Sequence, residues 1–389
     1  MKLQRLVSSK NALAVLITIM LRSGVLADSQ DERIWLDSKI NGKSARLCFD
    51  SGADNLILFR PGAQRLGLKI TEAATNTVLA PGEVPRGVTE ECSFTFGPTT
   101  GRVRFDVVDM LAHRRIDLDG VVGWWCVRSN VIQIDGEARR ITFLPKVPKA
   151  ATHWVQLGVV RDGGFLMLDL PRETGTNGIL CIDTGSTRGI DLPPWRWRLW
   201  KQSHPRQPTT LHAFITPADG LVVREEALAK DLAFGPLLLT AAPIAEATPA
   251  EVALVGPSYE GDLGLGALKR VDLIVDGKSG IAYLRAKSTP PLATKHNRLG
   301  AVFIPQGTNA DHLLARVAEG SPAQEAGICD GDILLTIDGK TVTSTNYDGA
   351  RHFTMSPGTR ISFTLVRNGQ TFSTTATLRD ILVLPPGRP

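Results

Sequence analysis

The sequence predicts a mainly β protein made by internal duplication, with a smaller α+β module at its C-terminal end. Three observations carry that expectation. The stretch L-C-F-D-S-G-A at 47–53 returns as L-C-I-D-T-G-S at 180–186. Each copy leads without a gap into an apolar strand, a Pro and a short helix, and further on into a hairpin turned by Asp-Gly. From residue 297 onward the pattern changes to strands broken by Gly-rich turns and one capped helix.

The bounds are consistent with this. A chain of 389 residues is long enough for two or three domains with separate cores, and a composition of 43% hydrophobic and 21% charged residues is that of a globular protein. The net charge of +5 is spread along the chain and too small to argue for nucleic acid, so no nucleic-acid partner is expected. Lys2, Arg5 and Lys10 precede the apolar run Ala12 to Leu21, and Val25-Leu26-Ala27 places small residues before Asp28. Residues 1–27 therefore read as a cleaved secretory signal, with an uncleaved anchor as the alternative. No other run is long enough to cross a bilayer, so no transmembrane segment is expected in the mature chain. The expected location is periplasmic or secreted.

Cys48, Cys92, Cys126, Cys181 and Cys329 lack C-x-x-C spacing, and the seven His are scattered. Neither a metal nor a cofactor is expected. Some pairing of the cysteines is open, with at least one left free. Cys48 and Cys181 each precede the repeated Asp by two positions, on the same strand face, and read as packing thiols. Gly-x-Ser-x-Gly, His-Glu-x-x-His and phosphate-loop motifs are absent.

The repeat extends well beyond seven residues. Leu56-Ile57-Leu58-Phe59 followed by Pro61 to Leu66 corresponds to Ile190-Asp191-Leu192 followed by Pro193 to Leu199. The basic-aromatic run Trp195 to Lys201 is thereby a helix backing the second unit rather than a membrane contact. Val121-Val122-Gly123 leads to Asp135-Gly136, and Asp262-Leu263-Gly264 leads to Asp276-Gly277 over the same interval. Asp-Gly between alternating apolar runs is a hairpin signal.

An Asp followed by a hydroxyl residue and Gly presents a carboxylate on a tight turn. Two such turns, facing each other across a twofold axis, bring two carboxylates so close that both cannot readily ionise. The pair shares a proton. One member can activate water as a general base while the other polarises a carbonyl and later protonates the leaving amine.

On these turns and their downstream apolar-apolar-Gly segments, residues 30–288 resemble the retropepsin-like aspartic proteases with two lobes in one chain. The resemblance implies a two-lobed β-barrel fold in which Asp50 and Asp183 are the catalytic dyad. It implies that Ser51 and Thr184 make interlocking hydroxyl contacts while Gly52 and Gly185 form the turns. It also implies a flap hairpin in each lobe: Thr77 to Val88 around Pro81, Gly82 and Glu83, and Thr209 to Val222 around Pro217, Ala218, Asp219 and Gly220. Asp262 departs from the family pattern, and neither flap carries a Tyr.

The C-terminal module resembles a PDZ domain of the bacterial exported-protease type, on Gly320-Ser321-Pro322-Ala323, Gly331-Asp332-Ile333-Leu334 and Asp338-Gly339-Lys340. Ser321 is the expected N-cap of a helix with Pro322 at its first position. The resemblance implies that backbone amides around Leu299, Gly300, Ala301 and Val302 hold the C-terminal carboxylate of a peptide, which adds as a strand to the sheet edge.

The expected division is a signal at 1–27, lobes at 28–149 and 150–288, a linker at 289–296, a PDZ domain at 297–380 and a tail at 381–389. The expected function is that of an aspartic endopeptidase acting on protein or peptide substrates, with C-terminal peptides bound by the PDZ domain. The alternative is a catalytically inactive exported peptide-binding protein that keeps the same fold.

Overall fold

A computed structural model describes residues 33–72, 86–109, 118–161, 164–172, 177–216, 220–288, 295–306, 309–343, 347 and 352–383. The expected signal at 1–27 and the flap residues Pro81, Gly82, Glu83, Ala218 and Asp219 lie outside them.

The repeated heptads end strands Lys43–Asp50 and Asn177–Asp183. In the first, burial alternates over the early residues and then becomes continuous from Leu47 to Asp50. That is the pattern of a strand passing from a surface into an interior covered on both faces. Its neighbour there is the strand Gly120–Gly123, which runs parallel with Asp50 opposite Gly123. The second copy does the same with Tyr259–Gly264, setting Asp183 opposite Gly264. In each unit a short apolar strand lies antiparallel on the other side, with Leu56 opposite Val122 and Ile190 opposite Leu263. The duplication read in the sequence is thus a duplication of strand topology.

The two units share a sheet. The hairpin formed by Val131–Asp135 and Arg140–Leu144 does not stay with the strands that precede it. It pairs antiparallel with Val271–Asp276, with Val131 opposite Asp276 and Ile134 opposite Leu273. Antiparallel pairing of equivalent strands is what a twofold axis between the units requires. The boundary at 149 therefore cuts a continuous hydrogen-bonded ladder, and residues 131–144 belong structurally to the second sheet. Phe143 at the end of this hairpin meets Phe96 of the first unit at 5.3 Å between ring centres. One hydrophobic core runs through both units.

The helices occupy equivalent places. Arg60–Leu66 closes on Gly67 in the left-handed region, φ 74°. Pro194–Ser203 buries Trp197 and Trp200 and leaves Trp195 and Leu199 outside. Among the described residues no helix is long and apolar enough to cross a membrane.

The C-terminal module has a separate core around Phe303, Phe353 and Phe363. Its sheet begins at the edge strand Ala301–Gln306, which among the described residues pairs only with Asn309–Val317. Ser321 accepts a hydrogen bond from the Gln324 amide and caps the helix Pro322–Glu325. Asp338-Gly339 and Asn368-Gly369 both have positive φ, as two-residue hairpin turns demand. The module reaches further in both directions than the expected boundaries. His296 is buried, and its Nε2 accepts from the amides of Ile381 at 3.2 Å and Leu382 at 3.4 Å. The end of the expected linker and the start of the expected tail are therefore folded against each other.

Ile132 and Val275 face each other in the shared ladder, and both are fully buried. Ile132→Ala should cost about 2–5 kcal/mol of stability, and chemical denaturation should show the two units losing structure in one transition rather than two.

Candidate active site

The two turns hold each other by a reciprocal set of four hydrogen bonds. Ser51 Oγ donates to the Ile182 carbonyl at 2.6 Å and accepts from the Thr184 amide at 3.0 Å. Thr184 Oγ1 donates to the Phe49 carbonyl at 3.1 Å and accepts from the Ser51 amide at 2.9 Å. Each hydroxyl spends both of its capacities on the opposite backbone, and Ser51 and Thr184 are buried. Leu166 adds a bridge: its amide donates to the Ser51 carbonyl, and its carbonyl accepts from the Ile182 amide.

This arrangement fixes the acids. The Gly52 amide donates to Asp50 Oδ1 at 2.8 Å, and the Gly185 amide to Asp183 Oδ1 at 2.9 Å. Both Asp residues are buried, and their carboxyl groups hydrogen-bond each other. Gly185 is required by this closeness, because a Cβ there would lie 2.3 Å from Asp50 Oδ2. Burial pushes the Asp50 carboxyl well above the usual carboxylate range, and the charge and hydrogen bond of Asp183 push it further. The Gly52 amide and the Arg33 guanidinium oppose the shift without cancelling it. One proton is therefore retained between the two acids beyond the pH at which a free carboxyl would lose it.

The surroundings of the two acids differ. Beside Asp50, Cys48 lies opposite Val121 in an apolar cluster with Ala53 and Ile57. Burial raises the Cys48 thiol to about 11. Beside Asp183, Cys181 lies opposite Asp262. A cavity there is lined by Gly52, Phe165, Cys181, Asp183, Tyr259 and Asp262. Cys48 is buried as a packing thiol, whereas Cys181 is half-buried at this cavity. All five cysteines are free thiols.

The sequence reading missed a charged network behind the second turn. Arg188 pairs with Asp191 at 2.6 Å and Glu251 at 3.1 Å, and Arg224 pairs with Asp191 at 2.6 Å. Both guanidinium groups lie over the Phe214 ring, at 4.8 and 4.9 Å. Burial, and after it their charge, hold His212 neutral, with its pKa lowered to about 3. The spacing of Arg188 and Asp191 was the available signal; Arg224 and Glu251 come from elements remote in sequence.

Strand pairs flank the residues expected as flap tips. Ile70–Glu72 pairs with Arg86–Thr89, and Thr209–Thr216 with Gly220–Phe234. In the C-terminal module, Leu299, Ala301 and Val302 are buried and Gly300 adopts φ 71°. The Leu299 and Gly300 amides donate to Asn297 Oδ1 at 3.0 and 3.1 Å. A side-chain carbonyl oxygen thus stands where the resemblance implies a peptide carboxylate. Among the described residues, no cluster of His, Cys, Asp or Glu is arranged to hold a metal ion.

Thr184→Val leaves the Ser51 amide and the Phe49 carbonyl buried without partners and should destabilise the protein by about 1–3 kcal/mol for each group. Thr184→Ser keeps the hydroxyl and should recover most of that loss in the same denaturation measurement.

Residues 36–124 match the family described as aspartyl protease, and residues 314–367 match the family described as PDZ domain. The zinc metalloprotease RasP of Shouchella clausii (strain KSM-K16) is 32% identical over 80 residues, which are 21% of this chain and 19% of that protein. The chain carries a retropepsin-like aspartyl protease domain followed by a PDZ domain.

Proposed function

We propose that the protein is an aspartic endopeptidase whose dyad is Asp50 and Asp183. The observation that carries this reading is the mutual hydrogen bond of two buried carboxyl groups held by duplicated, interlocked turns. A pair that retains one proton has both functions that amide hydrolysis needs. The ionised member takes a proton from water as the water oxygen attacks the scissile carbonyl carbon. The protonated member gives its proton to the carbonyl oxygen, producing a neutral tetrahedral gem-diol. The diol then returns a proton to the pair and the amine nitrogen takes one. The C–N bond breaks, and a carboxylic acid and an amine leave. Because the two carboxyls titrate as a unit, the proton belongs to the pair rather than to either residue.

The remaining roles follow from this reading. Ser51, Gly52, Thr184 and Gly185 position the acids, and the two hairpins cover the substrate as flaps. The PDZ module binds C-terminal peptides through Leu299 to Val302. The N-terminal signal sends the chain out of the cytoplasm, to the periplasm or the exterior, where unfolded proteins or peptides are its substrates.

Asp50→Asn and Asp183→Asn should each abolish hydrolysis of an unfolded protein; turnover surviving in either variant would defeat the dyad. Wild-type turnover against pH should be bell-shaped. Its alkaline limb should lie above the free-carboxylate value of about 3.9, since the active form keeps one proton and loses it only at the raised pKa. The linked stability effect has a definite sign. A carboxyl whose pKa is raised on folding stabilises the fold below its unfolded pKa and loses that contribution as pH rises through the folded one. Asp50→Asn should therefore stabilise the protein relative to wild type at neutral pH, with the difference shrinking towards pH 4 in thermal melts.

A further inference from the structure

Among the described residues, the C-terminal module meets the second lobe along the strand Thr209–Thr216, the outermost of its sheet and one arm of the second hairpin, and at Gln207, whose Nε2 donates to the Val383 carbonyl at 3.0 Å. Asn297 makes the hydrogen bonds to the strand itself. Thr210 Oγ1 donates to the Asn297 carbonyl at 2.6 Å. Asn297 Nδ2 donates to the Leu211 carbonyl at 3.0 Å and to the Ala301 carbonyl at 2.8 Å. The same side chain's Oδ1 accepts from the Leu299 and Gly300 amides. One carboxamide therefore fills the anion-facing amides of the glycine turn and grips the hairpin backbone at once.

We propose that Asn297 is a displaceable latch: a peptide's C-terminal carboxylate takes the Leu299 and Gly300 amides from Asn297 Oδ1 and thereby frees the hairpin strand Thr209–Thr216. This rests on the reading of the module as a binder of C-terminal peptides and of the hairpin as a flap. A carboxylate oxygen is the stronger acceptor for two backbone N–H groups than a neutral amide oxygen. It arrives on a chain that can add to the edge strand Ala301–Gln306, against which the hairpin strand Thr209–Thr216 lies without ladder bonds. Once Oδ1 is displaced, the carboxamide plane that aims Nδ2 at Leu211 is no longer fixed. The strand it releases leads directly to the second acid. Phe214, three residues beyond Leu211, lies under Arg188 and Arg224. Arg188 follows the Asp183 turn and feels the Asp183 charge. The coupling is reciprocal by linkage, so freeing the hairpin must also make the module bind peptide more tightly.

The test uses the full chain and two readouts that do not need hydrolysis. Amide hydrogen exchange reports the hairpin. Binding is measured with short peptides randomised at their C-terminal residues and carrying a free carboxylate, beside the same pool amidated. In wild type, the free-acid pool should bind and speed exchange in residues 209–216, and the amidated pool should do neither. Asn297→Ala should speed exchange there without peptide and bind the acid pool about tenfold tighter, because the competing closed state is gone. Asn297→Asp keeps oxygen on the loop amides but loses the donor to Leu211, so it should loosen the hairpin without gaining affinity. Equal exchange in wild type and Asn297→Ala would overturn the latch. Binding that ignores the carboxylate, or no binding by either pool, would overturn the ligand assignment. Repeating the measurements in Asp50→Asn separates the two readings: the latch must persist there whether or not the wild type hydrolyses anything.

Discussion

The constraint on which the rest depends is that each turn hydroxyl satisfies the other turn's backbone. Ser51 and Thr184 each donate to and accept from the opposite turn's backbone, and neither turn is complete without its counterpart. A buried amide or carbonyl left without a partner costs about 1–3 kcal/mol, so the half-assembled site is worse than either the finished one or a solvated turn. That asymmetry locks two distant parts of one chain face to face. It also explains why the carboxylates can be held against each other at all. Their repulsion is opposed by bonds that do not involve them.

The electrostatic cost is carried by the sheet behind the site. A pair of buried acids sharing one proton destabilises the fold at neutral pH, because desolvation disfavours the charge that must remain. The compensation is geometric: each Asp strand is hydrogen-bonded on both sides, and the strands leading away from the two units merge into the ladder between Val131–Asp135 and Val271–Asp276. Opening the cleft by separating the units would break that ladder and the Phe96–Phe143 contact. The hairpin arms, by contrast, lie at sheet edges, where movement disrupts few bonds.

Much of this was legible in the sequence because it is local and repeated. The two Asp turns, the strand before each, the helix after each and the Asp-Gly hairpins all follow from short-range pattern. So do the Ser321 cap and the positive-φ turns of the C-terminal module. What could not be read is what the chain does across long separations. The hairpin at 131–144 follows the first unit in sequence but pairs with the second, since strand partnership at a twofold axis leaves no mark on local periodicity. The Arg188, Asp191, Arg224 and Glu251 network draws on four elements, and only its first pair has a sequence spacing to find. Asn297 looked like the first residue of a module; its role depends on the Leu211 carbonyl, 86 positions earlier.

A twofold site has no direction, whereas the polypeptide substrate of the proposed endopeptidase does. If both halves of the cleft were equivalent, a peptide could lie either way round, and half of its encounters would be out of register. Direction has to come from residues that break the duplication. Here they break it close to the acids. Val121 beside Cys48 gives an apolar wall in the first unit, and Asp262 beside Cys181 gives a polar one in the second. The second hairpin is also the one tied to another module, while the first has no described contact with it. The grip at Ser51 and Thr184 repeats the same pair of bonds in both directions. In the walls and hairpins around it the two copies have diverged.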